Sequence, residues 1–149
     1  HQVMVNKQLV LNYKPVINLK STRLCGIEAQ LYWQHPNHGM LGTCEFQSIA
    51  EEIGLMPTIG EWVLRQACTN WQGWNVPTGE ANIRLRVKLS LIHLLFKGFS
   101  ASLERVLNDT DFDPSCLEIE VSEANLNRDN LAAFVTIFRY LNSKGVRII

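Results

Sequence analysis

Residues 9–19, LVLNYKPVINL, alternate apolar and polar side chains and are rich in Val, Ile and Tyr, the period-two signature of a strand with one buried face. A short turn, STR, leads to LCGIEAQLYW over 24–33, which reads as a second strand and closes a hairpin with the first. QHPNHGML, residues 34–41, carries Pro36, Asn37 and Gly39 and reads as a loop. Apolar positions then change to helical spacing. Phe46, Ile49, Ala50 and Ile53 predict a helix over 44–54 that stops at Gly54. Ile59, Trp62, Val63, Ala67 and Trp71 form one stripe of a longer helix over 57–74. NIRLRVKLS, residues 82–90, returns to strict alternation. Two short helical pieces follow over 91–97 and 101–108, then a DFDP turn and another alternating strand, SCLEIEVSE, over 115–123. A helix over 128–145 ends on Gly145, and VRII, 146–149, opens a further strand.

Strands that alternate with helices predict an α/β fold built on a mainly parallel sheet. No repeat, linker or low-complexity run divides the chain, so residues 1–149 read as one domain, with 1–7 taken as a tag remnant or linker. A βα array that stops four residues into a strand reads as the N-terminal part of a larger fold. Its uncovered sheet edges predict dimerisation or element swapping.

Composition narrows the function classes. Fourteen basic and fourteen acidic residues cancel, which leaves no electrostatic footprint for a nucleic-acid polymer or an acidic membrane. No apolar run approaches the roughly 18 residues of a membrane span. The start, HQVMVNKQ, lacks the basic and apolar blocks of a signal peptide. Cysteines at 25, 44, 68 and 116 form no CxxC pair, so they read as reduced structural thiols of a cytoplasmic protein.

Carboxylates interrupt two apolar strands. Glu28 stands inside CGIEAQLYW, and Glu118, Glu120 and Glu123 lie in or just after the strand over 115–123. A buried carboxylate is costly unless paired, hydrogen-bonded or bound to a metal. Positions 118 and 120 share the face opposite Leu117, Ile119 and Val121. In a barrel, functional groups gather at the C-terminal strand ends, so Glu28 and Glu120 are candidates for a shared site of oxygen ligands suited to Mg²⁺ or Mn²⁺. Spacing alone favours edge or solvent-facing glutamates, since an isolated strand glutamate is a weak signal. His35 and His38 read as loop residues, since no third ligand is evident. His93 and the four tryptophans at 33, 62, 71 and 74 read as packing residues, and Ser90 has no His–Asp pair to activate it.

From YKPV through IEAQLYW, QHPNHG, EFQSIAEEIG, IGEWVLRQAC, VKLS and LEIEVSE to GVRII, the chain resembles the EAL domain family of bacterial cyclic di-GMP phosphodiesterases. The resemblance covers almost the whole chain, with the motifs in family order. It implies a TIM-like (β/α) barrel whose first strand is antiparallel to the rest, of which this chain is the N-terminal part. A TIM-type barrel takes about 250 residues. The resemblance further implies Mg²⁺ or Mn²⁺ in active members, which activate a water for attack on the phosphodiester. It places Glu28 and Glu120 on family metal ligands and Glu123 on a glutamate that holds an active-site loop.

Several positions depart from the pattern. Gln30 replaces the leucine of EAL. Tyr32 replaces an arginine that contacts the ligand phosphate, which removes a charge-assisted donor pair. Lys14 replaces the glutamine of YQPI, and Lys88 replaces a metal-binding asparagine. A charged ammonium cannot ligate a cation and repels one nearby. The family's DDFG aspartates fall after Ile149. These departures imply a degenerate EAL domain without phosphodiesterase activity or bound metal, acting as a regulatory or interaction module. Lys88 is expected to supply Glu28 and Glu120 with the positive charge that an ion would otherwise bring. The alternative is the N-terminal part of a metal-dependent phosphodiesterase whose full-length parent is active. Expected partners are a second copy, another protein domain and, with weakened contacts, cyclic di-GMP.

Overall fold

Alternation folds the first described stretch into an antiparallel hairpin. A computed structural model of the chain describes residues 9–35, 39–42, 56–74, 83–122 and 126–149. Strand β1 (Leu9–Ile17) pairs antiparallel with β2 (Leu24–His35), with Leu9 opposite Trp33 and Lys14 opposite Glu28. Strand β3 (Gly39–Gly42) pairs antiparallel with the end of β2, so His35 faces Gly39. This corrects the loop expected over 34–41. Paired backbone satisfies its own donors and acceptors, and β2 therefore continues to His35 before the chain turns back.

The remaining strands are parallel, and helices make the crossovers that parallel pairing requires. Helix α1 (Met56–Gly73) precedes β4 (Arg84–Lys88). Helices α2 (Leu91–Leu95) and α3 (Phe99–Thr110) follow, then a 3-10 turn at Pro114–Cys116 and β5 (Leu117–Glu120). Helix α4 (Leu131–Lys144) leads to β6 (Arg147–Ile148). The strand order is β1-β2-β4-β5-β6, with β3 added beside β2. This is the expected mixed α/β sheet with its first strand antiparallel. The strand expected over 115–123 is shorter because Asp113 caps a 3-10 turn, its side chain accepting from the Ser115 N–H. The helix expected over 44–54 lies outside the described residues.

One sheet face is apolar and carries the helices. Leu85 and Val87 of β4, Leu117 and Ile119 of β5 and Ala29 of β2 are buried there against Ile59, Val63, Leu64, Ala67 and Trp71 of α1 and Leu103, Val106 and Leu107 of α3. Period two sends the intervening residues to the opposite face. Local caps fix the connections. Ser90 Oγ accepts from the His93 N–H at 3.1 Å and starts α2. Gly145 ends α4 at φ +91°, a left-handed conformation that glycine adopts without a Cβ penalty. No described helix is long and apolar enough to cross a membrane.

Candidate functional site

The face away from the helices gathers the charges. Strand registers place Lys14 opposite Glu28, Glu28 opposite Arg86, Arg86 opposite Glu118 and Glu118 opposite Arg147. One row of alternating sign thus crosses β1, β2, β4, β5 and β6. Two residues further along β4, Lys88 stands opposite Glu120. Glu28 on β2 and Glu120 on β5 flank the central strand, their backbones offset by two strand spacings across the sheet, about 10 Å, and by two residues along it, about 7 Å.

Arg86 engages the third carboxylate of this face, Glu118. Its Nε donates to Glu118 Oε1 at 2.8 Å, and Arg147 Nη1 lies 3.7 Å from Glu118 Oε2. The Glu118 side chain is only 7% exposed and that of Arg86 27%, so the pair is partly withdrawn from water. Burial draws the Arg86 pKa down, but the hydrogen bond and charge of Glu118 and the charges of Glu28 and Glu120 outweigh it, and the net shift is upward. Lys88 is exposed and makes no ion pair among the described residues. Lys88 thus makes no ion pair with Glu28 or Glu120, and the bonded cation of this face is Arg86, held by Glu118, with Glu28 and Glu120 acting on it through their charge alone. Both residues stand on the same face, but Arg86 lies in the row of Glu28 and Glu118. Period two had signalled this: Arg84, Arg86 and Lys88 share one face of NIRLRVKLS.

Two other candidate residues are brought together on β2. Tyr32 Oη donates to Gln30 Oε1 at 3.4 Å, so the two departures from the EAL pattern form a neutral pair. Glu123 lies outside the described residues, as do His38 and the side chain of His35. Ser90 is a helix cap, as above. His93 is buried, its ring packed edge-on against Phe99 with centroids 5.0 Å apart. Trp71 is buried and Trp33 and Trp62 pack on the core. Trp74 differs from expectation. It is exposed and stands edge-on to Tyr13, whose hydroxyl accepts from Asn70 Nδ2 at 2.6 Å and ties β1 to α1. The cysteines at 25, 68 and 116 are free thiols, and burial pushes that of Cys68 up to about 12.

The donor set fits a divalent cation poorly. Among the described residues no three His, Cys, Asp or Glu side chains come together as metal ligands. Mg²⁺ and Mn²⁺ favour sites rich in oxygen donors, yet here Arg86 and Lys88 interpose two positive charges between Glu28 and Glu120.

Comparison with known proteins adds family context. A family model described as EAL domain matches residues 2–149. The chain is 36% identical over 147 residues to MucR of Pseudomonas aeruginosa, a bifunctional diguanylate cyclase/cyclic di-GMP phosphodiesterase, covering 99% of this chain and 21% of that protein. It is 34% identical over 132 residues to a cyclic di-GMP phosphodiesterase of the same organism, covering 87% of this chain and 22% of that protein. It thus spans about a fifth of the length of each relative. The solved structure of the MucR phosphodiesterase in complex with cyclic di-GMP superposes with a TM-score of 0.86 at 36% identity, over 99% of this chain and 59% of that one.

Proposed function

The chain belongs to the EAL domain family, and on that footing we propose that it is a degenerate domain of cyclic di-GMP signalling that acts as a regulatory or interaction module. The observation that carries this reading is the pair of cations, Arg86 and Lys88, standing on β4 between Glu28 and Glu120. Where the resemblance implies carboxylates and an amide that hold Mg²⁺ or Mn²⁺, this face sets Arg86 and Lys88 beside Glu28 and Glu120. Tyr32 and Gln30, bonded to each other, present no positive charge to a nucleotide phosphate. Glu123 enters this reading only through the resemblance.

An exposed stripe on α4 supports the interaction role. Leu131, Val135 and Phe138 are 48%, 36% and 43% exposed at i, i+4 and i+7. We read a second copy or another protein domain as the partner, and the reduced thiols as those of a cytoplasmic protein.

A second reading is favoured by one observation. Glu28 and Glu120, which the resemblance aligns with family metal ligands, stand on one face, and the MucR phosphodiesterase extends well beyond this chain. The longer parent would then hydrolyse cyclic di-GMP with ligands that these 149 residues do not contain. Calorimetric titration of cyclic di-GMP into the chain, with and without Mn²⁺, together with a hydrolysis assay, separates the readings. The module reading expects no hydrolysis and any binding to be independent of metal. Hydrolysis, or binding that appears only with Mn²⁺, overturns it.

A further inference from the structure

We propose that Arg86 is the resident counter-ion of the polar sheet face, taking the electrostatic place of a divalent cation and closing the site to one. The inference rests on the reading of a degenerate metal site and names the residue responsible. Arg86 sits on β4, at the centre of the strand order, with Glu28 directly opposite on one neighbouring strand and Glu118 on the other. Its Nε is fixed on Glu118 at 2.8 Å. Guanidinium is always charged and presents five donors in a rigid fork, so it serves as a permanent cation among carboxylates.

The surrounding charges reinforce the closure. Among the described residues, three carboxylates (Glu28, Glu118 and Glu120) share this face with five cations (Lys14, Arg84, Arg86, Lys88 and Arg147). The group carries two net positive charges, and a doubly charged ion is repelled rather than concentrated there. Lys88 replaces the family's asparagine but is exposed and unpaired among the described residues. Its ammonium can swing away on its stem. Arg86, held by Glu118, cannot move aside as easily.

The test is Mn²⁺ binding to the 149-residue chain, read from the loss of the free-ion electron paramagnetic resonance signal in the absence of nucleotide. The unaltered chain and Lys88→Asn are expected to leave millimolar Mn²⁺ free. Adding Arg86→Gln to Lys88→Asn is expected to raise association by about tenfold or more, and Glu28→Gln in that background is expected to abolish the gain. Should Arg86→Gln disturb folding, as seen by circular dichroism, Glu118→Gln is added so that no buried carboxylate is left without its partner. Stoichiometric Mn²⁺ binding by the unaltered chain overturns the assignment. So does a full gain from Lys88→Asn alone, or no gain in the folded Arg86→Gln variants. Hydrolysis of cyclic di-GMP bears on the functional reading, whereas this titration bears on Arg86.

Discussion

His93 shows how one buried side chain constrains its neighbours. Its ring lies against Gly60 of α1, where an added Cβ would fall 2.0 Å from Nδ1. Phe99 holds the ring from another side, so it cannot retreat. Gly→Ala inside a helix normally stabilises by about 0.5–1 kcal/mol, but overpacking a closed site costs about 1–3 kcal/mol. Gly60→Ala is therefore expected to destabilise by about 2 kcal/mol in urea unfolding, and to become stabilising in a His93→Ala background. Desolvation also lowers the His93 pKa from 6.5 to about 4, although the charge of Glu61 opposes the shift. Between those values the unfolded chain binds a proton that the folded chain refuses. This contribution is thus present in full above pH 6.5 and lost as pH falls to about 4. It amounts to about 3 kcal/mol at most. Urea midpoints at pH 7 and pH 4.5 check this, and His93→Gln is expected to reduce the difference between them. A drop of equal size in His93→Gln would assign the acid sensitivity to other groups.

At the scale of the element, α4 packs weakly for a helix of its length. Only Leu141 is buried within it, while Leu131, Val135 and Phe138 remain exposed. Phe138→Glu is expected to change stability by less than about 0.5 kcal/mol, as exposed positions do, and to shift the chain toward monomer in sedimentation velocity. An unchanged sedimentation profile would remove α4 from the proposed interface. Elements of this kind were legible in the sequence because each follows a single period. Alternation located β1, β2 and β4, and helical spacing located α1 and α4. Strand β3, with the sequence GMLG, was not legible, since two glycines in four residues read as a turn and only pairing with β2 defines it as a strand. The site was legible in part for the same reason. Glu28 and Glu120 stand out as charges in apolar strands, but the meeting of Arg86 with Glu118 depends on the register between β4 and β5. Parallel registers are set by long crossovers and leave no local trace.

Across the whole molecule, the charge row makes the polar face a single electrostatic unit whose members are unequal. Glu118 is almost fully buried and depends on Arg86, since its other partner, Arg147, lies farther away at 3.7 Å and is itself exposed. Arg86 has a wider choice, because Glu28 and Glu120 also act on it. Removing one partner of a buried pair costs about 3–5 kcal/mol, while replacing both by apolar residues is often neutral. The cost here is lower, since Arg86 keeps some contact with water. Arg86→Met is expected to destabilise by about 2–3 kcal/mol, and Glu118→Leu by about 1 kcal/mol, because the cation it leaves behind retains two carboxylates. Combining them should recover most of the loss and give a coupling of about 2–3 kcal/mol in a double-mutant cycle. Guanidinium-free denaturation, in urea at low and high salt, is the measurement. Equal costs for the two single changes, or additive costs in the pair, would mean that the row is a set of independent surface charges. The predicted asymmetry would instead make Arg86 the anchor of the face, bonded to Glu118 and drawn by the charges of Glu28 and Glu120 on the neighbouring strands.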